Sequence, residues 1–130
     1  MTLCREWLTA YFDDVHRRRR YAKRRHRREV RFSDGSSPDP TRCHDNVRRF
    51  IAENPIAVRV AGWLILYDGR YLAHSMVRDR KKVFDITPSD YELRFILHVG
   101  SDDEFRKMEM PYADVIWPPL PSDMRPAGFA

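Results

Sequence analysis

Apolar residues recur every four positions near the start of the chain: Leu3, Trp7, Tyr11 and Val15, with Leu8 and Phe12 widening the same face. That period predicts an amphipathic helix. The polar continuation, "RRRRYAKRRHRR" from Arg17 to Arg28, is built of good helix formers, so the expected helix spans residues 2–31. Nine positive charges in these twelve residues repel one another, and only Tyr21 and Ala22 can pack. The far end is expected to be helical only where something neutralises it.

The segment "FSDGSSPDPT", Phe32 to Thr41, has the Gly, Pro, Ser and Asp content of a loop and marks the clearest boundary in the chain. A second helix is expected from about Thr41. Asp45 sits in its first turn, Val47, Phe50 and Ile51 form its apolar face, and Asn54-Pro55 ends it. Beyond Ile56 the texture turns to Val, Ile, Tyr, Trp and Phe, which predicts strands over 57–67, 70–78 and 82–87. Asp68-Gly69 is a hairpin signal, "RDRKK" a looser turn, and Pro88 a stop. "YELRFILHVG" predicts a strand over 92–99 and "DDEFRKMEM" a short helix, while the proline-rich "WPPLPSDMRPAGFA" reads as irregular. Helix, helix, then antiparallel strands is an α+β order. It predicts N-terminal helices packed on a small antiparallel sheet, with residues 1–32 as a basic helix and 33–130 as the α+β body.

Charge sharpens that division. Residues 1–32 carry a net +7 and residues 33–130 a net −2, out of +5 for the chain of 130 residues. The basic run has three readings: a solvated helix end, a contact for an acidic protein or the body itself, and a site for nucleic acid or another polyanion. For the last, the candidate residues are Arg17, Arg18, Arg19, Arg20, Lys23, Arg24, Arg25, Arg27 and Arg28. Aromatic residues do not interleave with them beyond Tyr21, which argues against base stacking.

Two cysteines, Cys4 and Cys43, are too few for a disulfide framework. No stretch approaches the roughly 20 apolar residues of a membrane span, and Arg5 and Glu6 interrupt any secretory apolar region. These features predict a cytoplasmic chain whose Cys43 is a free thiol.

Three reactive residues follow in order: Cys43, His74 and Asp85. Cys43 lies in the first turn of the second helix, where amide dipoles favour a thiolate and backbone N–H groups can hold an oxyanion. His74 and Asp85 lie on successive strands. A turn centred on Asp79-Arg80 sets them directly opposite, with Cβ atoms about 4.5–5.5 Å apart. A register shift of two leaves them diagonal neighbours. Either arrangement suits a carboxylate that fixes one imidazole tautomer.

A helix cysteine, a strand histidine and an aspartate on the next strand is the order found in papain-like and transglutaminase-like thiol enzymes. "AHSMVRDRKKVFDITP", Ala73 to Pro88, resembles the transglutaminase run of strand histidine, turn, and aspartate followed by Thr-Pro. "CHDN" is similar to the Cys-x-Glu-x-Asn helix start of arylamine N-acetyltransferases, with Asp45 in the place of the Glu. The resemblance covers about Thr41 to Pro88. It implies thiol-based acyl chemistry on a protein or peptide-like amide: Cys43 as nucleophile, His74 as base, Asp85 as orienter, and neither metal nor organic cofactor. Protease, deamidase, transglutaminase and acyltransferase all remain open. The chain contains no glutamine, so a backbone amide or Asn46 would take the oxyanion role.

Each residue also has a plainer reading. Free cysteine is commonly a buried small hydrophobe. A strand histidine is commonly a satisfied core residue. Asp85 between Phe84 and Ile86 either points outward or, if inward, needs a partner. His44 beside Cys43 raises metal binding, but no second Cys or His stands at zinc-like spacing. The opposing function is a non-catalytic α+β binding module that uses the arginine-rich helix on a polyanion.

Overall fold

A computed structural model describes residues 3–119. Helix α1 spans Arg5–Arg18, and the sulfur of Cys4 accepts a hydrogen bond from the amide of Trp7 at its start. Its apolar face is the expected one: Leu8, Phe12 and Val15 are buried against Trp63, Phe105 and Trp117. The helix does not continue to residue 31. It ends at Arg18, tightens into one 3₁₀ turn over Arg19–Tyr21, and then runs extended. Arg17 and Arg18 both pair with Asp14, one turn back. Arg19 and Arg20 have no acid one turn back, since Val15 and His16 stand there. Helical support from i,i+4 ion pairs therefore stops where the helix does.

The sheet contains β1 (Lys23–Arg24), β2 (Val58–Ile65), β3 (Tyr71–Asp79), β4 (Lys82–Phe84), β5 (Arg94–Leu97) and β6 (Asp114–Val115). The strand order is β1-β5-β2-β3-β4, with β6 also on β3, and every pairing between these strands is antiparallel. The β2–β3 hairpin closes around Asp68-Gly69, where Gly69 takes the left-handed φ of +89° that the turn needs. Helix α2 spans Cys43–Glu53 and α3 spans Asp102–Glu109. The fold is thus a small α+β arrangement of three helices and an antiparallel sheet among the described residues. No helix among them is long and apolar enough to cross a membrane. Most of the proline-rich tail, from residue 120 on, lies outside the described residues.

The basic segment has an architectural role. Arg24 pairs with Arg94 at one edge of the sheet, and Arg27 bridges Asp85 just past β4, at the other edge. Three residues span at most about 10 Å. The outer strands of a flat five-stranded sheet would stand about 19 Å apart. The sheet must therefore curl until residues 24–27 strap its edges together. Backbone hydrogen bonds fix the far end of the strap: the amide of Asp85 donates to the carbonyl of His26 and that of Arg28 to the carbonyl of Asp85, at 2.8 and 3.0 Å.

Successive strand residues face opposite sides. Ala61, Trp63, Tyr71, Ala73 and Ile96 face α1 and α3, while Val77 and Phe84 meet Val47, Phe50 and Ile51 on α2. Val60, Leu64, Met76 and Phe95 line the inside of the curl, with Leu72 and Leu93 beside them. His74 belongs to this inner face and stands opposite Gly62. Gly62 leaves room for the Phe95 ring, whose centroid is 6.2 Å from that of His74. A Cβ at Gly62 would collide with that ring and with the carbonyl of Ile96. Backbone is the harder neighbour to move, so Gly62→Ala is expected to destabilise the fold by about 1–3 kcal/mol. Urea unfolding followed by tryptophan fluorescence measures it. A midpoint equal to that of the native chain would contradict this packing.

Candidate active site

Cys43 is the first residue of α2 and is half-buried. The helix has no side-chain N-cap, and its first-turn amides lack intrahelical acceptors. The positive end of the helix dipole therefore acts on the sulfur. His74, in the middle of β3, is buried with 4 % of its surface exposed. Its Nε2 lies 2.7 Å from Asp85 Oδ2. That leaves Nδ1 for the side of Cys43, which lines the same cleft as His74.

The β3–β4 turn centres on Arg80-Lys81, not on Asp79-Arg80, and Arg80 adopts a left-handed φ of 59°. Val77 therefore pairs with Phe84, and His74 and Asp85 are diagonal neighbours, not directly opposed. Diagonal positions stand about 7–8 Å apart, within reach of an imidazole and a carboxylate.

Asp85 points inward and is fully satisfied. Its Oδ2 accepts from both His74 Nε2 and Arg25 Nη1, the latter at 2.6 Å, and Oδ1 accepts from the amide of Thr87 at 3.0 Å. Arg25 also donates from Nε to the carbonyl of Leu93 and from Nη2 to the carbonyl of Tyr91. Its side chain is 2 % exposed, so this member of the expected polyanion site is buried beside the thiol site. The sequence offered one signal for it: an inward carboxylate between Phe84 and Ile86 requires a buried donor.

The rest of the run is dispersed. Arg17 and Arg18 pair with Asp14, Arg19 donates to the carbonyl of His16, and Arg20 lies over the ring of Tyr21. Lys23 and Arg24 are exposed on β1. Arg27 holds the carbonyls of Ser89 and Tyr91, and Arg28 packs over Phe84 at 4.5 Å. No single helix face presents them.

Asn46 is buried and fully used. Its amide nitrogen donates to the carbonyl of Asp39 and to Thr87 Oγ1, and its oxygen accepts from the amide of Asp39. No donor is left for an oxyanion, so Asn46 anchors the loop before α2 instead. Only backbone amides of the α2 start remain for that role. His44 sets its Nδ1 against Ser75 Oγ at 2.6 Å, and its ring still acts on the neighbouring thiol.

Burial alone would raise the Cys43 thiol. The imidazoles of His44 and His74 beside it outweigh burial and bring the thiol down to about 6. Burial would lower His74, but Asp85 and Cys43 raise it to about 9. Burial likewise raises Asp85, and His74, Thr87 and Arg25 hold it below the usual carboxylate range. Both shifts favour thiolate and imidazolium over the neutral pair.

A cleft of about 570 Å³ opens onto Cys43 and His74, with Leu64, Leu72 and Leu93 among its walls. No protein-family model matches the chain, and neither a curated protein nor a solved structure matches it.

The thiolate fraction governs alkylation. The Cys43 rate with iodoacetamide is expected to rise through about pH 6 and to level off above it. In His74→Ala the rise should move upward in pH. Site-resolved mass spectrometry between pH 4 and 9 reads it, and a Cys43 profile centred at the free-thiol value of about 8.5 would contradict the ion pair.

Proposed function

We propose that the chain is a small papain-like or transglutaminase-like thiol enzyme that carries out acyl chemistry on amides or esters through Cys43, His74 and Asp85. One observation carries the reading. Cys43, at the start of α2, lines one cleft with the imidazole of His74, whose Nε2 is held at 2.7 Å by the buried carboxylate of Asp85.

The thiolate attacks the carbonyl carbon of the acyl group, and the C–S bond forms as the carbonyl oxygen takes the negative charge. Backbone amides at the start of α2 are the donors within reach of that oxygen. As the tetrahedral centre collapses, the bond to the leaving group breaks, and the imidazolium of His74 gives that group its proton. His74 is then neutral and takes a proton from water or an amine, which attacks the thioester and regenerates the thiolate. Asp85 keeps the proton of Nε2 in place throughout, so Nδ1 alone exchanges protons with the reactants. Hydrolysis, deamidation and transamidation differ only in which group leaves and which acceptor attacks.

With p-nitrophenyl acetate as acyl donor, Cys43 is expected to gain one acetyl group, with a burst of p-nitrophenol. Cys43→Ser should lose about 10³-fold or more in rate with its circular dichroism unchanged. A folded Cys43→Ser variant with native rate would sink the proposal.

A second reading rests on a separate observation. Arg28 on the strap and Arg80, Lys81 and Lys82 of the β3–β4 turn line one open cleft of about 670 Å³, although they are far apart in sequence. Glu53 and Asp79 lie there too, so four cations face two acids, and Glu53 is engaged by Ser33 and Arg49. These cations suit a nucleic acid or another polyanion, bound by charge and without base readout. Replacing Arg80, Lys81 and Lys82 by Gln should lower the salt at which the chain leaves a heparin column, while Cys43→Ser should not. Unchanged elution of the triple variant would remove this reading.

A further inference from the structure

The cleft beside the thiol carries a statement about substrate class, and it rests on the thiol reading above. Its size, about 570 Å³, is that of a pocket for an organic group, much larger than a single carboxamide side chain requires. It also continues: a shallower cleft of about 340 Å³ shares Leu66, Tyr91 and Leu93 with it and reaches Tyr67. Tyr67 and Tyr91 are exposed and meet edge to face at 6.2 Å.

Of the polar side chains that line the cleft, the guanidinium is engaged elsewhere and the hydroxyls carry no charge. Arg25 spends its donors on Asp85 and on the carbonyls of Leu93 and Tyr91. Thr41 Oγ1 donates to Asp39, Thr87 Oγ1 accepts from Asn46, and Ser89 Oγ accepts from the amide of Tyr91. Asp90 is the one carboxylate among the lining residues, and it repels an anion. So beyond the reacting pair the cleft offers leucine walls and no uncommitted cation. A group buried there gains from apolar area, while a carboxylate would lose its water and meet no counter-charge.

We infer that the acyl group transferred to Cys43 is an apolar one, aliphatic or aromatic and several carbons long, lying along Leu64, Leu66, Leu72 and Leu93. Acidic acyl groups are selected against. The chemistry is the same thioester exchange: the acyl C–S bond to Cys43 forms, the bond to the leaving group breaks, and His74 protonates what leaves.

The test is acylation of the intact chain by p-nitrophenyl esters of straight acyl groups from two to six carbons and by the glutaryl monoester, each rate divided by that of free cysteine. Iodoacetamide alkylation of Cys43 runs in parallel. The corrected rate is expected to rise about three- to fourfold per methylene, on the order of 100-fold from acetyl to hexanoyl. Glutaryl should fall at least about tenfold below pentanoyl. Leu72→Ala and, separately, Leu66→Ala should flatten the dependence on chain length, so that a folding failure in one leaves the other to report. Equal rates at every length, or glutaryl matching pentanoyl, overturns the inference and leaves the thiol reading intact. No acylation at any length, with alkylation still fast below pH 8, overturns the acyl chemistry and this inference with it.

Discussion

The arrangement depends on a carboxylate buried where it cannot stand alone. Asp85 is 1 % exposed, and an unpaired charge at that depth would cost several kcal/mol. Arg25 meets it from the strap at 2.6 Å with a side chain itself 2 % exposed. Such a pair adds little net stability, because both ions lose water. What it contributes is position. One guanidinium joins the strap to Asp85 and to the carbonyls of Tyr91 and Leu93, so the chain before β5, the end of β4 and the basic segment share a single point. Arg is suited to this because its planar fork presents five donors at fixed angles, which an ammonium group cannot imitate.

The same contact sets the electrostatics of the thiol. Asp85 Oδ2 receives both Arg25 and His74. His74 itself, the Thr87 amide and the guanidinium keep the carboxylate ionised against burial, which favours an imidazolium, while burial of the ring works the other way. His74 is nonetheless raised, since Asp85 touches the ring and Cys43 adds a second favourable partner. The order of charges from the strap inward is plus, minus, plus, minus: Arg25, Asp85, His74, Cys43. Each ion is compensated by the next, and the last is the one that faces the cleft.

Much of this was legible in the chain because the relevant signals are local. The four-residue recurrence of Leu3, Trp7, Tyr11 and Val15, widened by Leu8 and Phe12, marked α1, and Asp68-Gly69 marked the hairpin. Cys43, His74 and Asp85 were legible as an ordered set because a helix start and two successive strands bring such residues near each other on most registers. The register itself was not, since it turned on Arg80 accepting a left-handed φ that a bulky side chain seldom takes. Arg25 was hidden among identical residues. Nothing local separates it from Arg24 or Arg27, and its partner lies 60 residues on. Asn46 misled for the converse reason: its place in the helix start suggested chemistry, whereas Asp39 and Thr87 take both of its N–H donors.

A thiol and an imidazole on opposite sides of a strand would not ordinarily meet. Cys43 lines one cleft with His74 on the inner face of β3, while the next residue, His44, contacts Ser75, whose side chain lies on the outer face. The start of α2 must therefore straddle the edge of β3. That edge is available because β2 fills the other side of β3 along its whole length, whereas on this side β4 pairs only with Val77 to Asp79 and β6 only with Tyr71 and Leu72. Residues 74–76 are left without a strand partner there. β4 is short because at Asp85 the chain turns its hydrogen bonds from β3 to the strap. The basic segment thus closes the curl, pairs with the buried carboxylate and takes the backbone bonds of Asp85 where the β3–β4 ladder stops, beside the stretch of β3 that holds His74.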